Sequence, residues 1–298
     1  MNENLESQNI LAWLIPTMSE QNDLNYQHIL LKESKSKRTF ALADLQLIID
    51  NAHQDYKNHR RSVLLKNLDP TIKIENLGSN DPAYYYPHKL DLTTLKGYFG
   101  EVFSGVIAEN YSPFNVEGWK VPVYFFRFHH TATDQLENYR RTGEMKKATV
   151  GRTGDDCLAF LLDSSDSKIV KTLFCEAKCS AKHDSSMVNK AHLKLSDHNP
   201  LPVELLRILE ILNDYDTEYS KKWRLAISNL FCSLNDNEEH ERIDMVSYVC
   251  GQFPKRNDNW IPNDKPHEFY KGERKLLAVE VHLEEVDSLV KTLYRKED

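Results

Sequence analysis

The sequence predicts a mixed α/β protein: a central sheet flanked by helices, preceded by a partly helical N-terminal extension. Three observations carry that expectation. Helical apolar spacing recurs before residue 112 and again after residue 202. Three β-branched and aromatic runs lie between those helical blocks. The order helix, strands, hairpin, helices suits a sheet with helices packed on it. With 298 residues the chain can bury a proper core, as one large domain or two modest ones.

Residues 1–80 read as the extension, and residues 81–298 as the main domain. Within the extension, ADLQLIIDNAHQDYKNHRRSVLLKNL (Ala43 to Leu68) has helical spacing through Leu45, Ile48, Ile49, Ala52 and Tyr56. GSNDPAYYYP (Gly78 to Pro87) is a turn-rich junction. In LTTLKGYFGEVFSGVIAENY the positions Leu95, Phe99, Val102, Phe103, Val106 and Ile107 predict a helix that Pro113 ends. Glu101 is expected to face away from most of those apolar positions, and Gly97 and Gly100 to let the helix approach the sheet closely.

VPVYFFRFHH (Val121 to His130), DCLAFLLD (Asp156 to Asp163) and KTLFCEAK (Lys171 to Lys178) are the predicted strands. The short loop SSDSK joins the last two as a hairpin. PVELLRILEILNDY and KKWRLAISNLF return to helix, and RKLLAVEVHLEEVDSLVKTLY reads as a strand running into a final amphipathic helix.

No apolar run approaches the roughly 18 residues of a membrane span, so no membrane partner is expected. The start, MNENLESQNILAWLIP, lacks a basic region and a long apolar core, so no signal peptide is expected. Five widely spaced cysteines form no disulfide framework and suit a reducing cytoplasm. Cys175 and Cys179 have no matching second pair for zinc, and Cys157 and Cys175 read as small buried hydrophobes. The four tryptophans, Trp13, Trp119, Trp223 and Trp260, read as core or interface residues.

The net charge of −7 argues against unaided nucleic-acid binding, because phosphate neutralisation supplies most of that affinity. Between Gly118 and Arg152, however, seven bases (Lys120, Arg127, Arg140, Arg141, Lys146, Lys147 and Arg152) stand against three acids. A basic stripe on an acidic body suits an enzyme that meets nucleic acid at one place, with a partner holding the substrate. Arg140, Arg141, Lys146, Lys147, Arg152 and Lys182 are the candidate phosphate contacts. His183, Lys190, His192 and Lys194 read with Lys182 as a solvated helix face.

The chemistry centres on LFCEAKCSA. Alternation along a strand points Glu176 and Lys178 the same way and Ala177 to the other face. Four Glu-x-Lys triplets occur in the chain, but only this one sits in an apolar strand. The competing reading is an exposed ion pair on an edge strand. Asp156 stands where the loop enters the preceding strand, so a hairpin brings it beside Glu176. Two close carboxylates repel unless a cation lies between them, and oxygen ligands favour Mg²⁺ or Mn²⁺. Asp155 rivals Asp156 for that position. His129 and His130 end a predicted strand with no third ligand in view.

The order Glu101, Asp156, Glu176-Ala-Lys178 resembles the PD-(D/E)xK nuclease superfamily, with its restriction-endonuclease-like core. The resemblance implies metal ligation by Asp156, Glu176 and Glu101, and a Lys178 that orients or helps deprotonate the attacking water. Gly-Asp-Asp replaces the usual Pro-Asp at the first motif. GDDCLAFLLD, LFCEAKCSA and AHLKLS, with the terminal AVEVHLEEVDSLV, are similar to the nuclease subunit of Hachiman-type antiphage systems, which accompanies a helicase. That likeness implies a metal-dependent nuclease acting on nucleic acid, with DNA the expected substrate, beside a helicase or ATPase subunit. The alternative is a scaffold that binds nucleic acid or a partner without cutting.

Overall fold

Strands that are apolar on both sides set the frame. The protein, seen in a computed structural model, is described over residues 5–18, 25–144, 156–196, 204–233, 240–255 and 258–296. Its sheet contains β1 (Leu14–Met18), β2 (Tyr26–Glu33), β3 (Cys157–Leu162), β4 (Ile169–Ser180), β5 (Glu241–Cys250) and β6 (Leu276–His282). Their order is β1-β2-β6-β5-β4-β3. The four inner strands β2, β6, β5 and β4 run parallel, and antiparallel β1 and β3 close the two edges. Every residue of β6 is buried, as expected for a parallel strand covered on both faces.

Among the described residues the helices are α1 (Gln8–Trp13), α2 (Arg38–Leu65), α3 (Leu92–Asn110), α4 (His130–Thr142), α5 (Ser185–Leu195), α6 (Leu205–Asn213), α7 (Glu218–Ser233) and α8 (Val286–Leu293). One core joins α2, α3, α4 and α8 to the sheet face carrying Cys175, Cys179, Met245 and Val279. The other joins α5, α6 and α7 to the face carrying Phe174, Val246, Tyr248 and Ala278. No helix among the described residues is long and apolar enough to cross a membrane.

The first 80 residues are more than an extension. β2 is hydrogen-bonded between β1 and β6, and α2 packs its Leu45, Ile48 and Tyr56 into the first core. Its polar His28 is buried because Glu280 on β6 meets it at 3.2 Å. Glu280 also accepts from the backbone amides of Trp260 and Ile261, and His282 stands 3.1 Å away. A buried carboxylate with four partners is satisfied rather than stranded. Edge strand β1 carries Pro16, where a missing N–H is tolerated.

The expected strand over Val121 to His130 does not form. Val121, Tyr124 and Phe126 enter one core, while Val123 and Phe125 enter the other. The stretch is buried on both sides, but among the described residues its link to β3 is a bridge from the preceding Lys120 to Phe160, and it ends in a 3₁₀ turn over Phe126–Phe128. His129 therefore precedes α4 rather than ending a strand.

The α3 helix is buried around nearly its whole girth from Tyr98 to Ala108, Glu101 included. Of its glycines, Gly97 has open space around it and Gly100 lies in ordinary contact distance of Ala177 and Cys179. Gly105 is the one that needs to be glycine: a Cβ there would run into the Tyr124 hydroxyl. That hydroxyl donates to the Val102 carbonyl at 3.1 Å.

Candidate active site

The hairpin ladder explains how two acids meet. Cys157 of β3 pairs with Cys175 of β4, and Asp156 continues one step beyond that last pair, opposite Glu176. Past the last described pair the Ala177 amide donates to the side chain of Asp156, at Oδ2 and 2.9 Å. A charge-assisted bond of this kind contributes about 1.5–3 kcal/mol and fixes the carboxylate at the sheet edge. Asp156 and Glu176 are only 9% and 3% exposed.

Two ammonium groups cover the pair. Lys178 donates to Glu176 Oε1 and, at 2.9 Å, to the Ala177 carbonyl, and it lies 3.6 Å from Asp156 Oδ2. Lys194 donates to Glu176 Oε2 and lies 3.6 Å from Asp156 Oδ1. Asp184 caps α5 by accepting from the amides of Ser186 and Met187. From there the helix runs back along β4. The nine steps from Ser185 to Lys194 rise about 14 Å. The four steps along the strand from Ser180 back to Glu176 span about 13 Å. Lys194 thus lands over Glu176 instead of on the solvated face expected for it.

Burial pushes the Glu176 carboxyl up from its usual range, and the Asp156 charge adds to that rise. Lys178 and Lys194 pull the other way without cancelling it. Burial works against the Lys178 ammonium, but Asp156 and Glu176 outweigh it and push its pKa up. The same balance raises Lys194. Lys178 is therefore held as a cation and is no proton acceptor near neutral pH.

Around Lys178 the oxygens of Glu176, Ala177 and Asp156 converge on one positive charge. Among the described residues no three His, Cys, Asp or Glu side chains gather into a metal-binding group. Mg²⁺ commonly takes one or two carboxylates and keeps its remaining ligands as water, so this donor set suits it. A cation there would have to share the carboxylates with Lys178 and Lys194.

The other expected residues lie elsewhere or serve the fold. Glu101 is on α3, which packs on the sheet face opposite Glu176, and it stands 3.5 Å from His129 Nε2. Arg127 of the basic stripe is buried against Asp55 and Asp214. Lys120 pairs with Glu6 and Glu109. On α4, Arg140 donates to the Asn80 carbonyl at 2.9 Å, and Arg141 is exposed at the helix end. Lys182 is exposed in the turn between β4 and α5. Lys146, Lys147, Arg152 and Asp155 lie outside the described residues.

His192, expected on a solvated face, is fully buried, and burial lowers its pKa to about 4. Beside Lys178 in register is Tyr248, whose hydroxyl accepts from the Asp184 amide at 3.0 Å. His183 stacks on Trp260 at 3.9 Å between centroids, forming a flat aromatic wall next to that tyrosine. Cys157, Cys175 and Cys179 are free thiols buried on the opposite side. No protein-family model matches the chain. No curated protein matches it either.

Proposed function

We propose that the chain is a metal-dependent phosphodiesterase of the PD-(D/E)xK type, cutting nucleic acid, with DNA the expected substrate. The observation that carries the reading is the convergence of the Asp156 and Glu176 carboxylates at one sheet edge, with the Lys178 ammonium on the same face. Simple packing does not call for two buried acids side by side, because their mutual repulsion raises the cost of burying each. Asp156 and Glu176 would hold Mg²⁺ or Mn²⁺, which when bound lowers the pKa of water and offsets charge on phosphoryl oxygens.

The remaining work falls to the chain itself. Lys178 presents a fixed positive charge to an anionic phosphate, an electrostatic role rather than a basic one. The Ala177 amide orients Asp156 through Oδ2, while Oδ1 faces the Lys194 ammonium at 3.6 Å. The His183–Trp260 stack stands beside Tyr248, the neighbour of Lys178 in register. The reading rests on these groups and does not require Glu101 as a ligand.

Two of the seven bases in the stripe, Lys120 and Arg127, are spent on internal pairs. Intrinsic affinity for duplex DNA should therefore be low, which supports action as the effector subunit of an antiphage complex in the cytoplasm, with a helicase supplying the grip on substrate. A non-cutting scaffold is the second reading, favoured by the same charge balance. Plasmid nicking by the purified chain in excess, in Mg²⁺ and in EDTA, separates them. Cutting in Mg²⁺ that Lys178→Met abolishes supports the enzyme. Binding of nucleic acid with no metal-dependent cutting supports the scaffold.

A further inference from the structure

Away from the carboxylate pair lies a cavity of about 270 Å³ between α2, the turns around Tyr84 and the end of α8. Helical spacing builds one wall. Asp50, His53, Lys57 and Arg61 recur at steps of three and four along α2 and so share a face. Asp81, Tyr84 and Arg295 complete the mouth. Tyr86 and Tyr294 close the floor with their hydroxyls turned to His53, at 2.6 and 3.4 Å. Burial keeps that histidine neutral, and Lys57 and His129 add to the effect.

Three cations and two carboxylates line the space. Asp81 accepts from Arg61 through Nε and Nη2, the latter at 2.7 Å. Asp50 accepts from both Nη atoms of Arg295, at 3.3 and 2.6 Å. Those bonds leave Arg61 Nη1 and Arg295 Nε as further donors. Both acids are thus engaged, and among the described residues Lys57 makes no ion pair. Burial lowers its pKa, and Arg61 and Arg295 push the same way, although Asp50 and Asp81 oppose them. A partly buried cation with cationic neighbours is stabilised by an anion arriving from outside.

We propose that this cavity binds the phosphomonoester group of a small phosphorylated ligand, held by Lys57, Arg61 and Arg295. Donors from three side chains suit a tetrahedral oxyanion, and guanidinium groups match phosphate geometry. The volume sits just under the roughly 300 Å³ at which small-molecule sites begin, which fits one small molecule and not a polynucleotide. Tyr84, 51% exposed at the rim, offers a ring against which an organic moiety can lie. The proposal is independent of the nuclease reading, because none of its residues belongs to the carboxylate pair.

Isothermal titration calorimetry on the full chain in EDTA tests it, with inorganic phosphate, adenosine 5′-monophosphate and adenosine as probes. Phosphate or the monophosphate should bind with Kd below about 1 mM, and adenosine should not. Tighter binding of the monophosphate assigns a nucleotide-like ligand, and equal affinity assigns free phosphate. Lys57→Met should weaken binding at least about tenfold. Arg295→Gln should do the same, at a side chain 65% exposed where folding is not at stake. No binding of either phosphate probe at millimolar concentration, or wild-type affinity in both variants, overturns the proposal.

Discussion

Replacing Lys194 by methionine separates the two claims that a cation belongs between Asp156 and Glu176 and that Lys194 competes for the place. Its ammonium bonds Glu176 and stands 3.6 Å from Asp156. A pair at such a distance is worth about 4 kcal/mol at an effective dielectric near 20. Lys194 is 37% exposed, and solvent screening brings that down to about 1–2 kcal/mol. Without divalent metal, Lys194→Met should lose about that much stability in urea unfolding at pH 8, where the carboxylates are charged. With Mg²⁺ at saturation that deficit should close. Freed of its rival, the pair should bind the ion about tenfold more tightly, since 1.4 kcal/mol is a factor of ten. Calorimetric titration with MgCl₂ reads this directly, and a thermal-shift series reads it through linkage. An Mg²⁺ affinity equal to or weaker than wild type in the variant would refute the competition. It would leave Lys194 as a merely structural lysine.

Three further outcomes follow from the geometry. Asp156→Asn keeps an acceptor for the Ala177 amide, so the fold should hold while single-turnover cleavage falls about a hundredfold, well beyond the loss in Asp155→Asn. Equal losses would show that the neighbouring carboxylate shares the role. Burial alone would raise the Glu280 carboxyl, but His28, His282 and the amides of Trp260 and Ile261 prevail and hold it at about 2. The fall from 4.5 is worth about 3 kcal/mol, fully present above pH ~5 and lost as pH drops toward 2. Urea titrations of Glu280→Gln should therefore show a deficit of that size at pH 7 that shrinks in acid. A pH-independent deficit would contradict it. Gly105→Ala should cost about 1–3 kcal/mol because the new methyl meets the Tyr124 hydroxyl, and Tyr124→Phe should relieve part of that loss.

The sequence made the candidate site more legible than the sheet around it. Strand alternation and one hairpin suffice to bring Asp156, Glu176 and Lys178 together, because all three lie within a single local motif. Lys194 was hidden by its polar neighbours Lys190 and Ser196; only the match between helix rise and strand rise shows where it returns. Strand β5 reads ERIDMVSYVC, with Asp244 and Ser247 interrupting its apolar run. Both are buried, and Asp244 is held by Arg242 and Arg274. Strand β2 is disguised in the same way by His28, whose partner Glu280 lies 252 residues away. Composition marks such residues as surface, and only the pairing partner shows otherwise. The reverse error occurs at VPVYFFRFHH, whose β-like composition fills two cores without a ladder.

The most direct measurement is single-turnover cleavage of labelled DNA by the wild type and by Glu176→Gln, each in large excess, in Mg²⁺ and in EDTA. Glutamine keeps the shape of the side chain and removes the charge that would hold a cation. The account predicts cutting by the wild type in Mg²⁺ alone, and loss of both that cutting and Mg²⁺ binding in the variant, with circular dichroism unchanged. Cleavage by Glu176→Gln at the wild-type rate, or a wild type that never cuts in Mg²⁺, would contradict it.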